Sequence, residues 1–448
     1  MSAPASSDDL ETTSARAARG APPRGLPTWP LAAYFLGLPV WWVLGLIDVI
    51  MVPIGAIMAL YLVRARIRVP RGFALWAVFL FFMGASIIEL TRYTQYLTFS
   101  YRAGIYLSST VLFLYIYNSW RTISDRRILG YLVGYFVVVV AGGYLGAAYP
   151  SHSFKTPAFE VLDRLSPFLS NNPLVRVMVV RPFSQYDPTN FYQIPPRPAA
   201  PFLYTNNWGN VYSLLLPVVV LFLLQTRRHT PLRTVLFLLV LASTVPATLT
   251  LNRGMFIGLA IVAMFVGLRL AARGHVGRVL AAATLAGAIG VFLWNTFNVS
   301  AGLETRTQAS TETRSRLYEQ SLHQIGSSPI FGFGVTIDAS TNPYDPKVGT
   351  QGQFWMVMVS HGVIAVACFI GFFLVTVLLS LPRRDLASMV YSAIIVAATV
   401  ETIYYGQIPY GLPIVMTIAA LAHRPRPRAP TEAAGRQAGT GRRTVAPT

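Results

Sequence analysis

The chain has 448 residues, of which 54% are hydrophobic and 12% are charged, and its formal net charge is +19. An ordinary soluble domain carries roughly 25% charged residues and cannot cover so much apolar sequence without large exposed patches, so this composition excludes an ordinary water-soluble protein. The single cysteine, Cys368, excludes an intramolecular disulfide bond.

The two ends of the chain differ in composition from its centre. Residues 1–29 are rich in Ser, Ala, Pro and Arg and lack the apolar segment of a signal peptide, so they predict a disordered cytoplasmic tail. Residues 423–448 predict a second disordered tail, which is basic. The intervening residues 30–422 predict one all-α domain embedded in a membrane.

Apolar runs along this central part predict about twelve transmembrane helices. The stretch from Gly72 to Leu90 carries no charge before Glu89, and ~20 apolar residues in a helix span the ~30 Å hydrocarbon core of a bilayer. In chain order the predicted helices cover residues 30–46, 47–63, 72–90, 102–120, 128–149, 208–225, 234–250, 254–271, 278–297, 352–381, 385–400 and 406–422. The sequence therefore predicts a polytopic membrane protein.

The distribution of arginine predicts the orientation of these helices. Arginine clusters follow every even-numbered helix, beginning for example at Arg64, Arg121 and Arg227. Because Lys and Arg concentrate in cytoplasmic loops, both termini are predicted to be cytoplasmic. Residues of about 150–207 and 298–351 are then two large outer loops. Topology explains most of the positive charge, so no nucleic acid is expected as a partner.

Arg253 stands between two apolar runs, at the predicted start of the eighth helix. The free N–H groups of a helix start and its partial positive charge attract anions, and a guanidinium binds phosphate bidentately. A positive charge on the outer side also runs against the usual bias. These points favour a phosphate site at the membrane surface, with a merely anchoring side chain as the alternative.

A second group of residues leads into the sixth predicted helix. It consists of Arg197, Tyr204, Asn206 and Asn207. An aromatic face and amides beside a cation suit a glycan bound near a phosphate. An equally supported alternative is a loop in which an Asn caps the start of the helix.

Residues 313–325 predict a short amphipathic helix in the second outer loop. Arg316 and His323 are seven residues apart, so they share one face, two turns from each other. This face could hold a phosphate, with Arg314 as a further cation, and accept a proton. The alternative is a solvated pair of surface side chains. The apolar side is predicted to hold Leu317, Leu322 and Ile325.

Several motifs are missing from the sequence. It contains no HExxH, CxxC or GxxxxGK[ST] pattern, and carboxylates are scattered singly in the outer loops. We therefore expect no metal and no other cofactor. A transporter of lipid-linked or anionic solutes is an alternative class, but transporters normally place ionisable residues in mid-membrane, and the predicted helix centres hold almost none.

Three segments together resemble the O-antigen ligase and O-antigen polymerase superfamily of bacterial integral-membrane glycosyltransferases. Thr250-Leu-Asn-Arg253-Gly254 resembles the Thr-x-Ser-Arg-Gly-like element that begins an apolar helix in that family. Residues 315–334 are similar to its Gly-Arg-x-x-x-Trp segment and the His-Pro-Leu-Leu-Gly-x-Gly turn that follows. Residues 197–207 resemble an Arg and Pro-Asn element that precedes these two. Order, spacing and helix layout agree over most of the chain after residue 30.

One position departs from the family pattern. Ligases of this family carry a His-Asn pair shortly before a Gly near the end of the large loop, and the matching positions here are Gln351 and Gly352. The catalytic base of the ligases is therefore missing, and His361 is a poor substitute because it lies a helical stretch away. This departure favours a polymerase-like or divergent member. The remaining candidates for a base are His323, Glu312 and Glu319, and the alternative is a reaction that needs no strong base.

The resemblance implies transfer of a glycan from a polyprenyl diphosphate carrier to a sugar hydroxyl on the outer face of a bacterial inner membrane. The implied partners are the lipid-linked glycan donor, the glycan acceptor and membrane lipid. Arg253 and Arg316 are implied to neutralise the diphosphate and His323 to accept the proton. The residues implied to bind substrate are Arg197, Tyr204, Asn206, Asn207, Arg314 and Gln351. A ligase that transfers finished polymer and a lipid-linked solute transporter are the alternatives.

Overall fold

The computed structural model describes residues 25–65, 67–186, 195–296, 314–339 and 346–425. These residues are mostly helical, as predicted for an all-α membrane protein. The two predicted tails lie almost entirely outside the described residues, as do residues 297–313 of the second predicted outer loop, including Glu312.

The helices of the first half are followed by an irregular segment. The helices are α1 (Trp29–Leu36), α2 (Leu38–Leu44), α3 (Met51–Val63), α4 (Phe73–Ala85), α5 (Tyr93–Asn118) and α6 (Asp125–Ala148). The segment contains α7 (Pro157–Leu165), α8 (Pro167–Ser170) and α9 (Pro173–Val179), with β1 (Ser153–Lys155), β2 (Val180–Pro182), β3 (Ser184–Gln185) and β4 (Arg197–Pro198). Antiparallel pairs form between β1 and β2 and between β3 and β4.

The second half continues with long helices on either side of a shorter one. These are α10 (Thr205–Gln225), α11 (Pro231–Leu249), α12 (Arg253–Ala271), α13 (Val276–Thr296), α14 (residues 314–325), α15 (Gln353–Ser380), α16 (Leu386–Glu401) and α17 (Gly411–His423). Each predicted transmembrane segment coincides with helical structure, and most boundaries agree within a few residues. The number of membrane crossings and their direction remain predictions.

Length and apolar composition identify the strongest candidates for membrane crossing. Among the described residues, five helices are long and apolar enough to span a bilayer, namely α6, α10, α11, α12 and α15. Shorter apolar helices include α3, α16 and α17. Helices α16 and α17 are largely buried, whereas α13 is exposed along most of its length.

The predicted helix boundaries differ most from the structure at two places. The segment predicted as one helix over residues 30–46 is divided at Gly37 into α1 and α2. Helix α5 begins at Tyr93 instead of residue 102, because Oε1 of Gln95 caps it there by accepting from the backbone N–H groups of Thr91 and Arg92 at 2.9 Å each. As a consequence, Arg102 lies inside a helix and not at its boundary.

Helix α15 is interrupted at Gly362, where φ is 90°. The turn formed by residues 328–334 fills this interruption. The N–H of Val363 donates to the carbonyl of Pro329 at 2.8 Å, and the N–H of Gly334 donates to the carbonyl of Ser360 at 2.8 Å. Backbone groups freed by a break at membrane depth need such internal partners, so this turn is part of the helical bundle.

Candidate functional site

Arg253 begins helix α12, as the sequence predicts. The turn before it places Leu251 at φ 49° and buries Asn252, whereas the Arg253 side chain is exposed. The first N–H groups of a helix have no partner within the helix and give its start a partial positive charge. An exposed guanidinium at this position can therefore bind an anion together with the helix start.

Asn252 holds this turn against two other parts of the chain. Its side-chain N–H donates to the carbonyl of Thr205 at 3.3 Å, and its side-chain carbonyl accepts from the hydroxyl of Tyr405. A Cβ at Gly209 would lie 2.2 Å from the Asn252 amide nitrogen. Helix α10 therefore lies so close to the turn that only glycine fits at this position. These contacts fix where α12 begins.

Arg197 is buried behind the same turn. Its Nε–H donates to the carbonyl of Thr250 at 2.7 Å, and its own carbonyl accepts from the hydroxyl of Thr205 at 3.2 Å. The structure thus joins the two sequence segments that suggested phosphate and glycan binding. Because Arg197 is only 6% exposed, its contact with Thr250 positions the turn before Arg253.

The first turn of α10 presents the polar residues predicted to bind substrate. Tyr204 is the residue before the helix and is 48% exposed, whereas Asn206 and Asn207 are half-buried. Partial burial, and then the charge of Asp48, raise the pKa of the Tyr204 hydroxyl, which keeps it a donor. The alternative of an Asn cap is wrong, since the N-cap is Tyr204 and no side chain caps it. Among the described atoms, Oδ1 of Asn206 is buried without a partner.

Helix α14 confirms the predicted short helix in the second loop. Arg316 and His323 are both exposed on it, and Arg314 is half-buried. Leu317 and Ile325 are buried as predicted, but the prediction for Leu322 is wrong because this side chain is 59% exposed. Arg316 and His323 are thus accessible to a ligand.

Two side chains attach α14 to the start of α15. The ring of Tyr318 stacks on the ring of Trp355, with the centroids 4.7 Å apart. The buried Gln351 donates from Nε2 to the carbonyl of Leu317 at 3.0 Å and to the hydroxyl of Ser321 at 2.8 Å. Gln351 therefore holds α14 in place.

The turn after α16 connects Arg253 with α14. The hydroxyl of Tyr404 donates to the carbonyl of Gly254 at 3.2 Å, and the indole N–H of Trp355 donates to the carbonyl of Ile403 at 3.1 Å. Tyr318, two residues after Arg316, stacks on that same indole. A short series of contacts therefore links the two predicted phosphate-binding arginines.

The sequence reasoning missed a polar group between α5 and α15. Nδ1 of the buried His361 is 2.8 Å from the hydroxyl of Ser86, and Nη2 of Arg102 donates to the hydroxyl of Thr336 at 3.2 Å. Within the described part of the chain, Nη1 of Arg102 is buried without a hydrogen-bond partner. No sequence motif marks this group, because its members come from separate segments and Arg102 lies inside α5.

A buried ion pair links the first irregular segment to the helices. Arg181 of β2 contacts Asp48, which also accepts from the hydroxyl of Tyr410. Burial alone would lower the pKa of the Arg181 guanidinium, but the Asp48 charge raises it above its ordinary value, so Arg181 stays charged. The pair fixes the segment that leads to Arg197.

Glu401 is a second buried acid that the sequence reasoning passed over. Its Oε2 accepts from the side-chain amide of Asn210 at 2.7 Å. A Cβ at Gly258 would lie 1.8 Å from its Oε1, so the carboxyl group packs directly on the backbone of α12. Glu401 therefore locks α16 against α10 and α12, next to the turn that holds Tyr404.

Among the residues described, no group of three or more His, Cys, Asp or Glu side chains is placed to hold a metal ion. The arrangement instead offers exposed guanidinium groups, a helix start, a tyrosine hydroxyl and amides. Comparison with known proteins adds no assignment, since no family model, curated protein or solved structure matches the chain.

Proposed function

We propose that this protein is a cell-envelope polysaccharide polymerase-like glycosyltransferase. It moves a glycan from a polyprenyl diphosphate carrier to a sugar hydroxyl on the outer face of the bacterial inner membrane. The proposal rests on the three-segment resemblance and on one structural observation, the series of contacts that links Arg253 to Arg316 through Gly254, Tyr404 and Trp355.

In the proposed reaction the acceptor hydroxyl attacks the anomeric carbon of the donor glycan. The bond between that carbon and the diphosphate oxygen breaks as the new glycosidic bond forms, and the polyprenyl diphosphate leaves with the bonding electrons. Charge increases on the leaving oxygen during this step. Arg253, Arg316 and the partial positive charge at the start of α12 stabilise it, and donors aimed at developing charge are typically the largest single contribution to such catalysis.

The exposed arginines suit this role better than lysines would. A guanidinium keeps its charge at all relevant pH values and offers a planar set of donors that matches two phosphate oxygens. Arg253 presents this set where the helix dipole adds to it. Arg197 acts indirectly, since its contact with Thr250 orients the turn that precedes Arg253. Arg314 lies beside Arg316 on α14 as a further cation.

The proton of the acceptor hydroxyl passes to a base, for which we propose His323. Its side chain is exposed on α14. Gln351 carries no basic group, and both N–H donors that it offers are engaged in holding α14. The acceptor glycan is proposed to stack on Tyr204 and to hydrogen-bond with Asn206 and Asn207, which stand together in the first turn of α10.

The first test is the profile of lipid-linked glycans in cells that lack the protein, compared with the wild type. Accumulation of single repeat units on the polyprenyl carrier supports a polymerase. Accumulation of long chains on the carrier supports a ligase that transfers finished polymer. An unchanged profile together with normal surface glycan contradicts both activities.

The buried group around Arg102 favours a second candidate, a transporter of lipid-linked or anionic solutes. The sequence suggested helix centres almost free of ionisable residues, yet Arg102 lies within α5 and His361 within α15. Buried ionisable residues in membrane helices commonly mark a transport pathway. Uptake of a labelled lipid-linked glycan into proteoliposomes that is abolished by Arg102→Gln and retained by Arg253→Ala would favour transport over glycosyl transfer.

A further inference from the structure

Three arginines surround a cavity at the opposite end of α12 from Arg253. The cavity has a volume of about 550 Å³ and is lined by Arg269, Ala272, Arg273 and Arg384. It lies between the C-terminal end of α12 and the connection from α15 to α16. The sequence assigned these arginines only to membrane orientation.

Two of the three arginines of this cavity, Arg269 and Arg273, are held in place by backbone carbonyl groups. Nη2 of Arg269 donates to the carbonyls of Leu381 and Arg383, and Nη1 of Arg273 donates to the carbonyl of Arg384. Their orientation is therefore set before any ligand arrives, which reduces the entropy cost of binding. A merely solvated arginine would not need such contacts.

Donors remain after these contacts are made. Among the described atoms, Nη1 of Arg269 is buried without a hydrogen-bond partner. The Arg384 side chain is exposed at the edge of the cavity. The nearest acid in sequence, Asp385, is engaged in capping α16, where it accepts from the N–H of Ser388 at 2.9 Å. Three arginines outnumber this one acid, so the cavity keeps an excess of positive charge beside the unsatisfied Nη1 of Arg269.

We propose that this cavity binds a phosphate ester, supplied by the headgroup of an anionic phospholipid. A phosphate offers several acceptor oxygens that match converging guanidinium groups. Basic pockets between transmembrane helices on the cytoplasmic side are suited to phospholipid headgroups, and this end of α12 lies on the predicted cytoplasmic side. A bound headgroup joins the C-terminal end of α12 to the α15–α16 connection.

The test measures lipid binding by the full-length protein purified in detergent and stripped of lipid. Native mass spectrometry and thermal unfolding are recorded with phosphatidylglycerol, with zwitterionic phosphatidylcholine and with inorganic phosphate. We expect phosphatidylglycerol to bind one-to-one and to raise the unfolding midpoint, and phosphatidylcholine to do neither. Arg273→Gln/Arg384→Gln should weaken phosphatidylglycerol binding by about tenfold or more, since each lost bond to a charged group is worth that much.

The control is Arg64→Gln/Arg71→Gln, which removes the same charge from exposed arginines on the same predicted side. The single variant Arg384→Gln keeps the carbonyl that Arg273 contacts, so its fold is preserved even if the double variant is unstable. Stabilisation by inorganic phosphate to the same extent as by lipid supports the site but identifies a soluble phosphate ester as its ligand. Equal loss of binding in both double variants, or wild-type binding by Arg384→Gln and the double variant, overturns the proposal.

Discussion

The ring of Tyr318 lies on the ring of Trp355, with centroids 4.7 Å apart and planes inclined by 24°. This stack joins a helix that carries Arg316 to the first turn of α15, and the indole N–H extends the connection to Ile403. Tyr404, the next residue, reaches Gly254 beside Arg253. The relative position of two distant arginines therefore depends on a few aromatic contacts.

We predict that Tyr318→Ala and Trp355→Ala lower glycan transfer by similar factors and that their effects are not additive. Either change alone removes the aromatic stack between α14 and α15, so the second has little left to remove. Stacked aromatic pairs contribute about 0.5–1.5 kcal/mol beyond their burial, and a double-mutant cycle on transfer rates should give a coupling energy of this size. Tyr93→Ala, at a tyrosine that is 75% exposed, is the control. Additive losses would show that the stack does not position the arginines.

We predict that Arg253→Ala lowers the transfer rate by about 10²–10³-fold, the usual effect of removing one donor to a developing charge. Arg253→Lys should lower the transfer rate nearly as much, because an ammonium cannot form the planar, bidentate contact. The measurement is conversion of a defined lipid-linked donor by purified protein, with Arg278→Ala at another exposed arginine as the control. Wild-type activity in Arg253→Lys would support a simple membrane anchor instead.

We predict that Gln351→Leu loosens α14 without unfolding the protein. The change leaves the carbonyl of Leu317 and the hydroxyl of Ser321 without the Nε2 donor, at a cost of about 1–3 kcal/mol for buried groups left unpaired. Limited proteolysis should then cut α14 faster, and activity should fall through the misplaced Arg316. Gln351→His introduces the base that the sequence resemblance implies at this position. A gain in transfer with that variant would show that this position can face the substrate.

We predict that Asp48→Ala destabilises the protein by about 3–5 kcal/mol, because it leaves the Arg181 charge buried without its partner. Asp48→Leu combined with Arg181→Met should recover much of this loss, since a buried ion pair is often replaceable by apolar residues. The thermal midpoint of the purified protein checks both. Equal destabilisation by the single and the paired variants would mean that Tyr410, and not the charge pair, dominates at this site.

The helices could be predicted because their signal is local. Long apolar runs, and the arginine and glycine at 253 and 254, indicate where α12 begins without knowledge of any other segment. Residues 313–325 could likewise be recognised as an amphipathic helix from their own periodicity. The start of α5 was predicted wrongly, because the side chain of Gln95 caps a helix that begins at Tyr93, well before Arg102.

The connections between helices could not be predicted from the sequence. Gln351 stood out as a missing base, yet its role comes from contacts with Leu317 and Ser321. Arg197 suggested a ligand contact, but its Nε–H meets a backbone carbonyl more than fifty residues away, at Thr250. Such roles depend on which segments the fold brings together, and a single sequence carries no direct signal for that.

The contact between Gly258 and Glu401 also depends on two distant segments that the fold brings together. Any side chain at Gly258 would meet Oε1 of Glu401, at 1.8 Å from an ideal Cβ. Gly258→Ala should therefore destabilise the protein by about 1–3 kcal/mol through overpacking. It should also reduce transfer, because the displaced α16 carries the turn that holds Tyr404. Gly277→Ala, where nothing lies within 4 Å, is the matched control.

A second substitution distinguishes overpacking from a change in helix propensity as the cause of the stability lost in Gly258→Ala. Glu401→Ala removes the atom that the new Cβ would strike, so Gly258→Ala should cost less in its background than in the wild type. Glu401→Gln keeps the same shape and should give no such relief. If all three backgrounds respond equally to Gly258→Ala, the carboxyl group does not limit the approach of α12 and α16. A smaller destabilisation by Gly258→Ala in the Glu401→Ala background, which we expect, would instead show that the close contact of α12 and α16 depends on glycine at 258. The position of Arg253 would then depend on it too.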